Sequence, residues 1–377
     1  MRGHIRRRSP DSWTIVVSLG VDPATGKRRR LWRTTHGTRR QAEAELTRLI
    51  AEHDSGMSPT NVRQTVATYL EEWLETVATR RNRARTVQGY RSVIRHHLVP
   101  GIGNIQLSKL EPGHVDRLLA DIVASGRTEN TARHVYALLS KALKDAVRKG
   151  LLARNVCSAV DRPSVPRYEV DAPEASVVAR ILTSADTTRW GSIFRFIAFT
   201  GLRRSEALGL RWRNVDLDRS IVSVVEAAQR LTGRGIVFEP PKTAAGRRGV
   251  ALDPDTVALL RHHRARQAEY ILTLGGAYRD QGLVFANDLG APTDPDSVSH
   301  AFARIAKMAE APTVQLHHLR HAHASTLILA GVHPRVVQDR LGHASAAFTM
   351  QVYGHVAAGL QGEAALAFAS HMKSVAG

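Results

Sequence analysis

Three short stretches in the C-terminal half of the chain combine residue types that suit chemistry on a phosphate. The first is the run T-G-L-R-R-S-E over residues 200–206. It predicts a glycine turn that starts a helix, with Arg203 at a helix N-terminus where backbone N–H groups and a guanidinium would both face an anion. Glu206, one turn further on, could orient Arg203. Taken alone, the run more often marks a surface arginine with a capping glutamate.

The second stretch is L-H-H-L-R-H-A-H-A over residues 316–324. His317 and Arg320 are spaced i, i+3 and therefore share one face of a helix. The arginine can hold a negative charge and the histidine can move a proton near neutral pH. His317 and His321, at i, i+4, could instead bind a metal, but the glutamate of an H-E-x-x-H motif and a clear third ligand are missing. We therefore expect no metal and no cofactor, and a metal hydrolase is the alternative that activity loss on chelation would reveal.

The third stretch is L-G-H at residues 341–343, followed ten residues later by Tyr353 in Q-V-Y-G-H. A tyrosine in such a position is more often a half-buried core residue than a nucleophile. A nucleophilic tyrosine needs nearby cations, because the reference pKa of its hydroxyl is near 10.

Together these stretches resemble the catalytic signature of the tyrosine recombinase, or phage integrase, family. The motifs T-G-L-R-x-S-E, H-x-L-R, L-G-H and Y-G-H occur in the family's order and spacing. Residues 240–248, P-P-K-T-A-A-G-R-R, are similar to the β-hairpin that carries the family's catalytic lysine, which corresponds to Lys242. One position departs from the pattern, because many members have Asp where this chain has His318.

The resemblance implies a catalytic set made of the following residues: Arg203, Lys242, His317, Arg320, His343 and Tyr353, with Glu206 in support. Phosphodiester transfer needs an in-line nucleophile, charge stabilisation and a proton for the leaving oxygen. Tyr353 would attack the scissile phosphate and form a 3′-phosphotyrosyl bond, and Arg203 and Arg320 would clamp the phosphate oxygens. Lys242 would protonate the departing 5′ oxygen, and His317 would accept or return the tyrosyl proton. His343 would hydrogen-bond the phosphate, and Glu206 would hold Arg203 or His317.

The composition agrees with a polyanionic partner. The chain has 377 residues with 53 Lys and Arg against 34 Asp and Glu, and its net charge of +19 includes +15 in residues 1–167. At 43% hydrophobic residues it can fill real cores. Its single cysteine, Cys157, excludes a disulfide framework and a cysteine-based zinc site. Without a signal sequence, a membrane-spanning run or a P-loop motif, we expect a cytoplasmic protein that uses no ATP. Its Arg- and Ala-rich composition and the family resemblance add the expectation of a bacterial, nucleoid-associated protein.

The patterning predicts a multidomain, mainly α-helical chain. Residues 1–58 form a small sheet-plus-helix module similar to the family's arm-type DNA-binding domain, with strands at 13–18 and 28–35. A Thr38–Gln41 capping box begins its helix, which ends near His53. One face of the sheet carries the candidate DNA contacts Arg28, Arg29, Arg30 and Arg33.

Residues 61–160 form a predicted four-helix unit with a loop at 100–104, and its basic candidates are Arg83, Arg85, Arg91 and Arg95. This unit is similar to the family's core-binding, SAM-like domain. Residues 161–173 are a proline-punctuated linker. Residues 174–377 are the catalytic domain with a C-terminal tail, α-rich with a small antiparallel β-meander and a short strand at 283–285. The resemblance to tyrosine recombinases implies the DNA breaking-rejoining enzyme fold for this architecture.

These observations predict a site-specific DNA recombinase that integrates or excises a prophage or mobile element. Its expected partners are double-stranded DNA attachment sites, three further copies in a homotetramer on DNA, and a host DNA-bending protein or excision factor; no membrane is involved. A type IB topoisomerase-like DNA-relaxing enzyme is one alternative, which relaxation of any supercoiled plasmid would favour. A non-catalytic DNA-binding regulator is the other, although every catalytic position is occupied.

Overall fold

The computed structural model describes residues 3–21, 26, 28–54, 64–165, 172–241, 244–343 and 361–376. The chain divides into two compact units, residues 1–166 and 167–377. Each unit contains apolar cores built from its own residues. Within these described ranges, no helix has both the length and the apolar content that a membrane crossing requires.

A three-stranded antiparallel sheet begins the first unit. Its strands are β1 (Gly3–Ser9), β2 (Ser12–Val21) and β3 (Arg28–His36) in that order, and helix α1 (Arg39–Asp54) follows them. The predicted capping box is present: the N–H of Thr38 donates to Gln41 Oε1 at 2.8 Å, and the N–H of Gln41 donates to Thr38 Oγ1 at 3.4 Å. Strands β2 and β3 and helix α1 agree with the prediction, whereas the sequence did not locate β1.

The arginines of β3 lie on both faces of this sheet. Leu31 packs in the core against α1, and because side chains alternate along a strand, Arg33 lies on the same covered face. Its Nη1 is 3.2 Å from Glu45 Oε1 on α1. Arg28 and Arg30 have the opposite parity and lie on the open face with Trp32, which is 64% exposed. The prediction of one arginine face is therefore wrong, and the side chain of Arg29 lies outside the described residues.

Helical segments form the rest of the first unit. They are α2 (Val66–Trp73), α3 (Ala84–Val93), α4 (Pro112–Ala124) and α5 (Glu129–Arg148). A π-helical turn extends α2 over Leu74–Ala78 and another extends α3 over Ile94–Leu98. One face of each helix contributes to a shared apolar core in which Tyr69, Trp73 and Leu139 are almost fully buried. The four predicted helices are thus present.

The predicted loop at 100–104 is partly wrong, because Val99–Ile102 continue the helix. The N–H of Val99 bonds to the carbonyl of Ile94, five residues back, and so closes the preceding π turn. A π turn already interrupts the regular i to i−4 bonding, so the missing N–H of Pro100 costs less there than in a continuous α-helix.

The second unit is mainly helical. Its helices are α6 (Ala175–Asp186), α7 (Gly191–Thr200), α8 (Arg204–Leu208), α9 (Pro254–Leu274), α10 (Pro295–Met308), α11 (Leu316–Leu329), α12 (Pro334–Leu341) and α13 (Gln361–Ala376). Phe194, Phe196 and Phe302 are fully buried in its main core. The mainly α fold class with a small antiparallel β insert is confirmed.

The β insert differs in detail from the predicted meander. Its strands are β4 (Val215–Asp216), β5 (Ile221–Val224), β6 (Ala227–Leu231), β7 (Gly235–Glu239) and β8 (Arg248–Ala251). Strands β4, β5 and β8 form one antiparallel sheet, and β6 and β7 form a separate hairpin between them in the chain. The run 283–285 forms only an isolated bridge between Leu283 and Arg211. The strand predicted for 283–285 is therefore wrong. These residues are apolar because they are buried in the core, and a short buried apolar run is equally typical of a strand and of other core segments.

Candidate active site

The T-G-L-R turn lies against the helices that carry the other two motifs. Gly201 ends α7 with a φ of +66°, a conformation that favours glycine. A Cβ at this position would lie 2.7 Å from Cδ2 of His323 on α11 and 2.7 Å from Cδ2 of Leu341 on α12. The glycine therefore allows both the turn and the close approach of these helices, and Arg203 follows at the N-cap of α8 as predicted.

Arg320 links the three motifs directly. Its side chain is buried on α11, where Nη1 donates to the Gly201 carbonyl at 2.5 Å and Nη2 donates to the Leu341 carbonyl at 2.6 Å. Arg203 in turn donates from Nη2 to the Gly342 carbonyl at 3.4 Å. Two guanidiniums that lie 117 positions apart in the sequence are thus anchored to the same L-G-H segment.

Glu206 is buried at 5% exposure between two arginines. Its Oε1 accepts from Arg203 Nη1 at 2.7 Å, and its Oε2 accepts from Arg248 Nη2 at 2.9 Å. Burial by itself would raise the pKa of Glu206, but the hydrogen bond from Arg248 and the charges of both arginines outweigh it and lower that pKa. Glu206 is therefore a carboxylate at neutral pH, and of the two residues it was expected to hold, it contacts Arg203.

His343 is buried at the end of the L-G-H motif, just after α12. Burial, reinforced by the positive charges of Arg320 and Arg203, lowers the pKa of its imidazole to about 3. The ring is therefore neutral at physiological pH, and it can donate one hydrogen bond to an anion without adding a charge.

His317 lies at the start of α11, one helical turn before Arg320, and it is exposed. Desolvation lowers the pKa of its ring, so the ring is neutral and able to accept a proton at pH 7. His318 has a local structural role, because its Nδ1 accepts the backbone N–H of Gln315 at 3.2 Å and so caps the helix. The rings of His317 and His321 are 5.5 Å apart. In the part of the chain that the structure describes, no group of three or more His, Cys, Asp or Glu is arranged to hold a metal.

Lys242 and Tyr353 lie outside the described residues, but the flanks of the lysine segment are described. A Cβ on Gly246 would lie 2.4 Å from the Cβ of Pro241, so the two ends of this segment are packed together. The turn after it adjoins the L-G-H motif: a Cβ on Gly342 would lie 3.0 Å from the Ala245 carbonyl oxygen. The described flanks of the Lys242 position, Pro241 on one side and the turn Ala244–Gly246 on the other, therefore lie together, and that turn adjoins the L-G-H motif.

Sequence reasoning missed Arg248 and Arg340. Arg340 on α12 donates to the Phe199 and Ala251 carbonyls at 3.0 Å each and to His323 Nε2 at 2.9 Å. One signal for Arg248 was available, because it has the same strand parity as the buried Val250. An arginine on the buried face of a strand requires a buried acidic partner.

The basic candidates of the helical part are mostly surface residues. Arg85, Arg91 and Arg95 are exposed, and Arg83 is half-buried at the N-cap of α3. Arg91 forms an ion pair with Glu75 at 2.6 Å. These side chains therefore lie along α3 and its π-helical extension.

Comparisons with known proteins identify the family to which the chain is similar. Residues 174–359 match the model of the phage integrase family, and residues 65–121 match that of the phage integrase N-terminal SAM-like domain. An integrase of Streptomyces ambofaciens is 30% identical over 357 residues, which cover 90% of this chain and 88% of that protein. The ICEBs1 integrase of Bacillus subtilis strain 168 is 25% identical, over 93% of this chain and 95% of that protein.

Solved structures share the fold at lower sequence identity. The Tn1549 transposon integrase in complex with transposon right end DNA has a TM-score of 0.65 and 18% identity, over 77% of this chain and 94% of that one. A lambda integrase tetramer bound to a Holliday junction has a TM-score of 0.54 and 20% identity, over 91% of this chain and 96% of that one. With its motifs, its converging arginines and its relatives in agreement, the chain belongs to the phage integrase family of tyrosine recombinases, the site-specific recombinases that cut and rejoin DNA.

Proposed function

We propose that Tyr353 is the nucleophile of this recombinase and that Arg203 and Arg320 hold the scissile phosphate. The Tyr353 oxygen forms a bond to phosphorus while the bond from phosphorus to the 5′ oxygen breaks, which leaves a 3′-phosphotyrosyl linkage and a 5′-hydroxyl. Lys242 supplies the proton that the leaving 5′ oxygen takes up. Rejoining reverses these steps, so the phosphodiester energy is kept in the covalent bond.

The single observation that carries this proposal is the anchoring of Arg320 to both the Gly201 and the Leu341 carbonyls. It ties the T-G-L-R and L-G-H motifs to the same guanidinium and brings Arg203 beside them. Planar guanidiniums suit the oxygens of a phosphate, and fixed donors need no reorganisation as charge develops. Two arginines held to one segment therefore favour phosphoryl transfer over an unrelated role for each motif.

The two histidines have protonation states that fit separate tasks. His343 is buried and neutral, since its pKa is about 3, and it would donate a hydrogen bond to a phosphate oxygen. His317 is exposed and its pKa is lowered, so at pH 7 it can accept the phenolic proton of Tyr353. In the reverse step it returns that proton.

Covalent trapping tests the nucleophile. Wild type, Tyr353→Phe and Tyr270→Phe would each be incubated, with and without EDTA, with nicked duplexes drawn from the DNA flanking the gene, and SDS-stable complexes would be sequenced. Tyr270 is the matched control because it is 54% exposed on α9 and belongs to none of the catalytic motifs of the sequence. We expect adducts at one site from wild type and Tyr270→Phe, and none from Tyr353→Phe.

Other outcomes would change the assignment. An equal adduct yield from Tyr353→Phe would contradict the role of Tyr353. Adducts scattered over many sites would favour topoisomerase-like relaxation, and adduct loss in EDTA alone would favour the metal-dependent alternative. Strong retention on DNA without any adduct would favour a non-catalytic regulator.

We also propose a three-part organisation on DNA, with an arm-type module at 1–58, a core-binding domain at 61–160 and the catalytic domain at 174–377 after a linker at 161–173. The open face of the first sheet, with Arg28, Arg30 and the exposed Trp32, would bind arm-type DNA. Arg83, Arg85, Arg91 and Arg95 would contact core-site phosphates, with Arg91 exchanging its ion pair for a phosphate.

The two faces of the first sheet allow a matched test of this surface. Arg30→Ala removes an open-face cation, whereas Arg33→Ala removes a cation that is paired with Glu45 on the helix-covered face. We expect Arg30→Ala to weaken binding to arm-type DNA. A plot of the logarithm of the binding constant against the logarithm of the salt concentration should become shallower by about one unit of slope, and Arg33→Ala should have little effect. Equal effects from both substitutions would contradict the open-face assignment.

Assembly is proposed as a tetramer on DNA, the state found in the lambda integrase structure that shares this fold. Helix α13 supports it, because Leu366, Phe368 and Met372 of this C-terminal helix are exposed apolar residues that a neighbouring subunit could cover. Mass photometry of the protein on its attachment-site DNA counts the chains: four are expected, and a stable one-chain complex on a full recombining pair would contradict the proposal. A host DNA-bending protein or excision factor would act on that assembly.

A further inference from the structure

We propose that Arg248 is a positioning residue for DNA cleavage: it fixes the Glu206 carboxylate, and Glu206 in turn fixes Arg203 toward the phosphate. The inference rests on the proposed function, since it needs Arg203 to hold the scissile phosphate. Arg248 itself would touch neither the DNA nor the reacting atoms, because its side chain is only 6% exposed.

Both terminal nitrogens of Arg248 face the two carboxylate oxygens of Glu206. Nη2 of Arg248 donates to Glu206 Oε2 at 2.9 Å, and Nη1 lies 3.3 Å from Glu206 Oε1. The same carboxylate accepts two hydrogen bonds from Arg203. One comes from Nη1 to Oε1 at 2.7 Å, and the other comes from the backbone N–H to Oε2 at 3.0 Å. With the carboxylate held from one side by Arg248, Nη1 of Arg203 has a fixed acceptor, and Nη2 donates to the Gly342 carbonyl at 3.4 Å.

Arg248 is also bonded to the two segments that flank this site in the chain. Its Nε donates to the Arg340 carbonyl at 2.6 Å, at the end of α12 just before the L-G-H motif. Its Nη1 donates to the Gly246 carbonyl at 3.2 Å, in the turn that follows the Lys242 segment. One buried side chain therefore connects the carboxylate, the L-G-H motif and the turn after the lysine. A lysine could satisfy only part of this set, because its ammonium is a single point of donation.

The electrostatics give this role a consequence that a packing role lacks. The charged groups that contact Glu206 are Arg203, at the N-cap of the same helix, and Arg248 from β8. The nearby His343 is influenced by the positive charges of Arg320, Arg203 and Arg248, which help to lower its pKa. Burial raises the pKa of Glu206, and Arg248 is the largest of the influences that lower it. Without Arg248 the pKa of Glu206 rises, so a fraction of the carboxyl groups becomes neutral and binds Arg203 less firmly as the pH falls.

The experiment compares Arg248→Met, Arg248→Lys and a control, Arg211→Met. Arg211 is a comparable arginine of the same unit, paired with Glu226 with both side chains 18% exposed. Its side chain donates to Glu226 and to the Gln281 carbonyl rather than to any described member of the catalytic set. First-order rate constants for covalent adduct formation would be measured at saturating protein on a nicked site from pH 6.5 to 8.5. Fluorescence anisotropy would give Kd for the same DNA, and thermal denaturation would report folding.

We expect Arg248→Met to bind DNA within about twofold of wild type but to form the adduct about 100-fold more slowly, as misplaced catalytic groups do. The ratio of its rate constant to that of wild type should fall further toward pH 6.5. Arg248→Lys keeps a cation beside Glu206, so it should recover about tenfold of the loss and remove the extra pH dependence. Arg211→Met should lower the melting temperature without changing either rate or pH profile.

Two results would overturn the role of Arg248: a wild-type rate and pH profile in Arg248→Met, or the same loss in Arg211→Met. If Arg248→Met fails to fold, Arg248→Lys decides, since a wild-type rate in that variant would show that the fork geometry is not needed. Absence of any adduct from wild type would instead overturn the proposed function itself, and the role of Arg248 with it.

Discussion

Both units of this chain bury a carboxylate between two arginines. In the helical part of the first unit, Asp145 on α5 lies between Arg81 and Arg148; in the second unit, Glu206 lies between Arg203 and Arg248. Both carboxylates are 5% exposed, and the pKa of each is lowered although burial acts in the opposite direction.

The two clusters differ in where their arginines point. Arg81 and Arg148 are 51% and 61% exposed, and Asp145 has a third donor, the indole Nε1 of Trp73 at 2.8 Å. That cluster joins α2 to α5, and water can replace either arginine. In the Glu206 cluster Arg248 is buried and neutralises the carboxylate, so the charge of Arg203, 44% exposed, is available to an anion. An acid between two arginines is therefore a structural clamp in one unit and a candidate anion-binding device in the other.

The largest effect should separate the two clusters by catalysis. Arg203→Lys loses planar, two-point contact with the phosphate and should lower the adduct rate constant about 10²–10³-fold. Arg81→Lys replaces a half-exposed partner of Asp145 and should leave that rate within about twofold at saturating protein. Single-turnover trapping on a nicked site measures both, and similar losses in the two variants would remove the distinction between the clusters.

A smaller effect should separate them by stability. Asp145→Asn removes the charged acceptor of the Trp73 indole and of two arginines, and it should lower the free energy of unfolding by about 2 kcal/mol. The adduct rate of the folded protein should not change. Urea titration with pulse proteolysis, with fragments from residues 64–165 identified by mass, measures this. Asp121→Asn on the exposed side of α4 is the control, expected within about 0.5 kcal/mol of wild type; an equal loss there would contradict the clamp.

The smallest effect per residue is a pH dependence that is stronger in the second unit. The pKa values of His321 and His323 are lowered to about 4 and that of His343 to about 3, in each case mainly by burial. Each ring stays neutral in the folded protein while its unfolded form gains a proton below pH 6.5, so stability falls as the pH drops through this window. From pH 6.5 to 5.5 each should cost about 1.4 kcal/mol at most.

The first unit provides the comparison for this pH effect. Among the described histidines of the first unit, His97 has a pKa that burial lowers. The buried Asp145 of this unit has a pKa below its ordinary value, so it stays charged throughout the window. Pulse proteolysis in urea at pH 7.5, 6.5 and 5.5 should therefore show a greater loss in fragments from residues 172–343 than in those from 64–165. A greater loss in the first unit would contradict the burial of these neutral imidazoles.

Much of the fold followed from short-range patterns. The four helices of residues 61–160 follow from their apolar period, α1 from its Thr38–Gln41 cap, and the turn at Gly201 from a glycine that adopts a positive φ. Two of the wrong expectations concern longer-range choices. The loop expected at 100–104 is partly helical, because a π turn lets the helix continue through Pro100. The expected meander is not formed, because β8 pairs with β5 across an intervening hairpin.

The sequence by itself determined the chemistry that this chain can perform, because residue types and motif order limit which groups can attack, clamp or transfer a proton. Only the tertiary structure decided which side chains hold those groups in place. Arg248 meets Glu206 across 42 positions and Arg320 meets Gly201 across 119, and Arg33 turns toward α1 while Arg30 turns away. Local propensity acts over a few residues, whereas a buried charge must find its partner wherever folding brings one within about 3 Å.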